Sequence, residues 1–158
     1  MSHSATEDPT RAARRGIELC RRGEWTKGFS LLVAAAESEQ GTSGLPGLFY
    51  SYLGYGMARF RKRMRDGLAL CEHAIKIEFY QPESYLNLAR TRLLMNDRTG
   101  AVHAVDRGLK IDPGYGPLLE LRDKMGVRRP SVLPFLSRRN PLNHSLGWLR
   151  SRLTQRHS

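Results

Sequence analysis

The side chains with most chemistry to offer in this sequence are arginines. From Val127 to the C-terminus there are seven (Arg128, Arg129, Arg138, Arg139, Arg150, Arg152, Arg156) and no Asp or Glu, so this stretch carries +7 of a formal net charge of +11. Guanidinium groups bind carboxylates and phosphates bidentately, and such an excess favours acidic partners: a protein surface, nucleic acid or anionic lipid. Other reactive side chains are dispersed. The five histidines (His3, His73, His103, His144, His157) form no cluster. Cys71 and His73 stand two apart, a spacing that points them in different directions on a helix, so no metal pair is read there. Glu37 and Glu39 lie near a helix end and read as solvated rather than as an acid–base pair. There is no HExxH pattern, no nucleophile elbow and no Gly-rich phosphate loop after a strand. No catalytic residue, metal ligand or cofactor is assigned. Arg128-Arg129-Pro130-Ser131 has the form of a basophilic kinase site, and Asn143-His144-Ser145 that of a glycosylation sequon.

The two cysteines, Cys20 and Cys71, fall inside apolar helical patterns, where thiols pack as small hydrophobes. The first thirty residues hold no continuous apolar segment of the signal-peptide kind. No apolar run approaches the ~20 residues needed to span a bilayer. The expected compartment is the reducing cytoplasm, where the sequon is silent.

The elements that must position these side chains are helices; no segment alternates in the manner of a strand. Residues 1–8 read as a disordered N-terminus. Asp8-Pro9-Thr10 has the composition of a helix start, with Asp as the cap and Pro in the first turn. Helical patterning then covers 9–22, stops at Gly23 and resumes over 24–39. The Gly- and Pro-rich segment 41–47 is a loop. Further helices are expected over 48–60, 66–77, 82–96 and 99–111, with a basic turn at 61–65 and a stop at Asp112-Pro113-Gly114. A shorter stretch, 117–125, ends at Gly126.

Small residues recur within this pattern. Gly16 and Gly28, Gly54 and Gly67, and Ala89 and Ala101 each mark a helix and the helix after it. Gly or Ala lets two helices cross closely, and larger residues fill the adjoining grooves. A helix pair repeated every ~34 residues resembles the tetratricopeptide repeat (TPR). The unit 85–113 resembles it most, through Tyr85, Leu88, Ala89, Ala101, Val105, Gly108, Leu109 and Pro113. The preceding unit offers Leu53, Gly54, Gly67, Cys71, Ala74 and Ile75, with a turn one residue longer than usual and Phe79 in place of proline. The first offers Gly16, Trp25, Gly28, Leu32 and Ala35, and its link to the second is about four residues too long. The resemblance implies an all-α solenoid of three helix pairs over 9–126, closed by a capping helix at 117–125.

It also implies a concave face lined by the first helix of each pair. Carried onto this chain, that face holds Arg14, Ile17 and Arg21 from the first unit, Tyr52, Tyr55 and Arg59 from the second, and Asn87, Arg90 and Leu94 from the third. A basic groove with an aromatic floor suits a peptide bearing apolar anchors and a carboxylate, and so an adaptor or scaffold role without catalysis. The carboxylate clamp of Hsp70/Hsp90 co-chaperones is not reproduced. Ala13 and Ile17 stand for its Lys and Asn in the first unit, Tyr52 for the Asn of the second, and Glu83 and Asn87 for the Lys and Arg of the third. Chaperone C-terminus binding is therefore not expected.

The basic extension, 127–158, matches no known motif. Val132, Leu133, Phe135 and Leu136 form a short apolar run. Asn140-Pro141 then opens a helix near 142–154, whose Leu142, Leu146, Leu149 and Leu153 share one side. This stripe would dock on the chain's own body, on a partner or on a second copy. Through its arginines the extension could also bind nucleic acid or an anionic membrane, the alternative reading of the function.

Overall fold

A computed structural model describes residues 8–38 and 44–126. The N-terminal segment 1–7 and the tail positions Val132, Leu133, Phe135, Leu136, Leu142, Leu146, Leu149 and Leu153 lie outside the described residues, as does the helix expected at 142–154. The described residues form helices and no strand: α1 (Pro9–Arg21), α2 (Trp25–Ala36), α3 (Gly47–Arg61), α4 (Met64–Ile77), α5 (Pro82–Leu94), α6 (Arg98–Ile111) and α7 (Gly116–Lys124). All seven belong to one compact unit ending at Met125.

The helices pack as pairs, α1 with α2, α3 with α4 and α5 with α6, and α7 closes the last pair. Asp8 caps α1 as its type predicts, accepting from the Thr10 amide at 3.0 Å. The seams within pairs explain the recurring small residues. A Cβ added at Gly67 would lie 2.4 Å from the Gly54 carbonyl oxygen, and one at Gly28 would lie 2.7 Å from that of Gly16. Backbone meets backbone there, and only glycine leaves the room. At the third seam Ala89 and Ala101 are both fully buried.

Gly16 and Gly28 stand twelve positions apart, as do Ala89 and Ala101, but Gly54 and Gly67 stand thirteen apart. The turns absorb the difference. In the first and third pairs the left-handed residue is Gly23 or Asn96, and the next amide (Glu24, Asp97) donates to the carbonyl five residues back at 2.9 Å. This is the closing bond of a Schellman turn. In the second pair Lys62 is left-handed, and the amides of both Lys62 and Arg63 donate to the Met57 carbonyl. That reach of five and six residues widens the last turn of α3.

Three boundaries differ from expectation by two residues or more. Helix α5 ends at Leu94 rather than 96. Helix α4 begins at Met64, not at Asp66. Asp66 lies inside the first turn, where a carboxylate is favoured, and pairs with the Arg63 Nε at 2.7 Å. Helix α2 ends at Ala36, three residues short of 39. The core runs through Ile17 and Cys20 of α1, Phe29 and Leu32 of α2, and Phe49, Tyr52 and Leu53 of α3. It continues in the third pair through Tyr85, Leu88 and Val105. Leu118 of α7 is fully buried over Gly108, where any Cβ would meet it at 2.4 Å.

Candidate functional site

Because α1, α3 and α5 lie side by side and α7 follows α5, side chains from these four helices and from the start of α2 converge on one groove. Its volume is about 620 Å³, and its walls include Arg21, Trp25, Tyr52, Glu83, Leu86, Arg90 and Tyr115. Arg21, at the end of α1, reaches across to Glu83 in the first turn of α5. Its Nε donates to one carboxylate oxygen at 2.9 Å and its Nη2 to the other at 2.6 Å. The Tyr52 hydroxyl, from α3 between them, donates to the same carboxylate. Tyr52 is buried at 4 % exposure, so its polar end depends on this acceptor.

These contacts set the local protonation. Burial would raise the Glu83 carboxyl, but hydrogen bonds from Arg21 and Tyr52, with the charges of Arg21 and Arg90, outweigh it and hold the group below the ordinary carboxylate range. Burial and donation to Glu83 push the Tyr52 phenol well above its usual value. Burial, then the neighbouring Glu83, raises Tyr115. Burial raises the thiols of Cys20 to about 11 and Cys71 to about 12, so both stay protonated at neutral pH.

Beside this triad stands an aromatic and cationic stack. Trp25 stacks on Tyr52 at 5.5 Å between centroids and meets Tyr55 edge-on at 5.0 Å. The Arg59 guanidinium lies 5.7 Å from the Trp25 ring and 5.9 Å from that of Tyr55. Arg90 lies 5.7 Å from Tyr55. These distances fall within the range of cation–π attraction. Among the described residues neither Arg59 nor Arg90 forms a salt bridge, whereas Arg21, Arg22, Arg63 and Arg92 each hold a carboxylate.

The positions expected on the concave face thus separate into groups. Arg21, Tyr52 and Arg90 line the groove, and Tyr55 and Arg59 adjoin it through Trp25. Arg14 and Leu94 are exposed on α1 and α5 and are not among the lining residues. Ile17 and Asn87 do not present themselves as groove surface. Ile17 packs in the first core. Asn87 has no exposed surface, and its Nδ2 donates to the Ser51 hydroxyl at 3.1 Å, tying α5 to α3. A helix buried on one side and open on the other has flanking positions, and at these two the core side prevails. Trp25, Glu83, Leu86 and Tyr115 line the groove without having been assigned to it. Trp25 opens the second helix of its pair and Tyr115 precedes α7, so a rule confined to first helices passes over both. Glu83 is acidic in a face read as basic.

No family model and no curated protein matches the sequence. Solved structures match the fold. The first TPR domain of human RPAP3 aligns with a TM-score of 0.58 at 11 % identity, covering 77 % of this chain and 92 % of that one. The TPR domain of Arabidopsis OM64 aligns at 0.59 and 13 % identity, covering 77 % and 96 %. The first TPR of Spaghetti (RPAP3), bound to the HSP90 peptide SRMEEVD, aligns at 0.57 and 11 % identity, covering 80 % and 96 %. Identities this low speak to architecture alone. Together with the three glycine- or alanine-lined helix pairs and the closing helix, they show that this chain has the fold of a tetratricopeptide-repeat domain.

Proposed function

We propose that this chain is a protein-interaction adaptor whose groove takes an acidic, apolar-anchored segment of a partner protein. The observation that carries this reading is the pair Arg59 and Arg90. Both guanidiniums lie within 6 Å of the Tyr55 ring, and neither forms an ion pair with a carboxylate among the described residues. Arg90 feels the charges of Glu83 and Glu120 at longer range and donates to the Asn87 Oδ1 at 3.5 Å. An arginine already stacked on a ring loses less freedom when it engages a carboxylate, so its charge is available at low entropic cost. Trp25, Tyr55 and Tyr115, each half-buried, supply apolar surface beside the cations. The Spaghetti domain, which has the same fold, holds the acidic HSP90 peptide SRMEEVD, and this supports a peptide as the class of ligand. Because the residues of the co-chaperone carboxylate clamp are not reproduced in this chain, the reading takes from that complex the class of ligand and not the peptide itself.

The test is a tiled array of acidic peptides probed with the wild type and with a variant carrying Arg59→Glu and Arg90→Glu, Arg14→Glu being the control outside the groove. The expected result is loss of the bound set in the double variant with an unchanged circular dichroism spectrum. An unchanged set would place the partner on another surface. The second reading, in which the arginines of 127–158 bind nucleic acid or an anionic membrane, rests on composition. Among the described residues no helix is long and apolar enough to cross a membrane.

A further inference from the structure

Glu83 is the one carboxylate among the described residues that line the groove. It takes a bidentate pair from Arg21 and a third hydrogen bond from Tyr52, and its side chain is 13 % exposed. A guanidinium fork with a phenol hydroxyl beside it is a donor set suited to a ligand's carboxylate. Here the donors come from α1 and α3, members of two different helix pairs, and the acceptor comes from a third. The Arg21 side chain is 44 % exposed, so its guanidinium stays within reach of a ligand from the groove, while the buried Tyr52 hydroxyl and the 13 % exposed Glu83 side chain satisfy each other.

We propose that Glu83 is a resident carboxylate: it fills the strongest anion site of the groove from within the chain and thereby determines which ligands the groove accepts. Resting on the groove reading above, the inference divides the groove into two parts. At the Arg21 end the cation and the phenol are satisfied, and an incoming carboxylate meets a like charge. At the Tyr55 end neither Arg59 nor Arg90 holds an ion pair among the described residues, Arg90 having a 3.5 Å hydrogen bond to Asn87 and a longer-range pull from Glu83 and Glu120. The groove therefore takes a segment whose acidic side chains reach Arg59 and Arg90 and whose portion beside Arg21 is uncharged. A free carboxylate at that end is rejected.

Acetate is the probe, titrated into the ¹⁵N-labelled full chain with chloride at matched ionic strength as the control. The readouts are the Arg21 Nε–Hε resonance and the melting temperature. In the wild type acetate produces no saturable shift of Arg21. In Glu83→Ala it shifts Arg21 saturably and raises the melting temperature, with an affinity roughly tenfold or more above the wild type. In Glu83→Gln, which keeps an acceptor in place without the charge, most of that gain is absent. Acetate acting on Glu83→Ala no more than chloride does would overturn the proposal. So would a saturable shift of Arg21 in the wild type, a result that decides the matter even should Glu83→Ala fail to fold. Acetate needs no partner protein, so the two ideas fail separately. A silent Glu83→Ala beside an Arg59/Arg90-sensitive peptide set removes the resident carboxylate alone, and the reverse outcome removes the groove reading alone.

Discussion

The seams within the helix pairs and the groove across them are built from the same helices by opposite means. At the second seam Gly54 and Gly67 bring two backbones together by having no side chain. In the groove Arg21, Tyr52 and Glu83 bridge three helices by the reach of long ones. The seam residues stand 13 positions apart and the groove residues as many as 62. The seams are thus a local device that each pair carries in its own sequence. The groove exists only after the pairs have stacked.

The sharpest way to break this contrast is to put a methyl group into a seam. In isolation Gly67→Ala should help α4, because alanine is the better helix former by about 1 kcal/mol. In the folded chain that methyl would stand 2.4 Å from the Gly54 oxygen and 3.0 Å from Ala58 Cβ. Overpacking of this kind costs about 1–3 kcal/mol, and a rigid backbone contact belongs at the upper end. The expected result is a lower urea midpoint at unchanged slope, with a net loss of about 2 kcal/mol once the helix gain is offset. A neutral or stabilised variant would mean that the seam can open, and that the contrast with the groove is one of degree.

This contrast also decides what could be read from the sequence. Small residues at a fixed spacing report helix pairing, because a crossing fixes which residues meet within about a dozen positions. The extra residue in the second turn was legible as a count, but the widened end of α3 that absorbs it was not. Helix α2 was extended past Ala36 because nothing in residues 37–39 opposes a helix. In the groove, Arg21 was legible as a cation and Glu83 as a departure from the clamp. Their pairing was not, since the ends of long side chains choose partners only once three helices are in place. Asn87 shows the same limit from the other side. Its type suggests a ligand contact, and only the stacking of α5 on α3 makes it a buried tie to Ser51.

The next effect in size belongs to the groove. Tyr52→Phe removes one hydrogen bond to a charged acceptor and leaves the Arg21–Glu83 pair intact. Hydrogen bonds to charged groups contribute about 1.5–3 kcal/mol, and because Arg21 still holds the carboxylate a loss of about 1.5 kcal/mol is expected from chemical denaturation. A variant as stable as the wild type would show that the Tyr52 hydroxyl has another acceptor in solution.

A smaller, pH-dependent effect follows from Glu83. Its carboxyl is held below the ordinary range in the folded chain, so the folded state binds its proton less readily than the unfolded state does. Its contribution is therefore fully present above the unfolded-state pKa of about 4.3 and is lost as pH falls through the lower folded value. Glu83→Gln should flatten the acid limb of the stability profile while leaving its slope near neutrality unchanged. Asp97, held down first by the Gly100 amide, keeps its own share of that limb. An unaltered acid limb would mean that the triad does not survive in solution.

The smallest effect on stability, and the largest expected on binding, concerns Arg59. Its guanidinium lies within 6 Å of Trp25, Tyr55 and Phe60, and exposed cation–π contacts contribute about 0.5–1 kcal/mol. Arg59→Ala should therefore cost no more than that, while Arg59→Lys keeps the charge and loses the planar fork. The two substitutions separate charge from geometry. Binding retained in Arg59→Lys would mean that the groove supplies only positive potential, and that Arg90 or the basic tail could stand in. Binding lost in both, at near-native stability, would mean that the stacked fork itself is what a ligand meets. A double-mutant cycle between Arg59 and Tyr55 measures whether the stack exists in the free chain, with a coupling of about 0.5 kcal/mol expected. No coupling, together with lost binding, would leave Arg59 free in the unbound protein and transfer the ordering cost to the moment of association, with a weaker complex as the consequence.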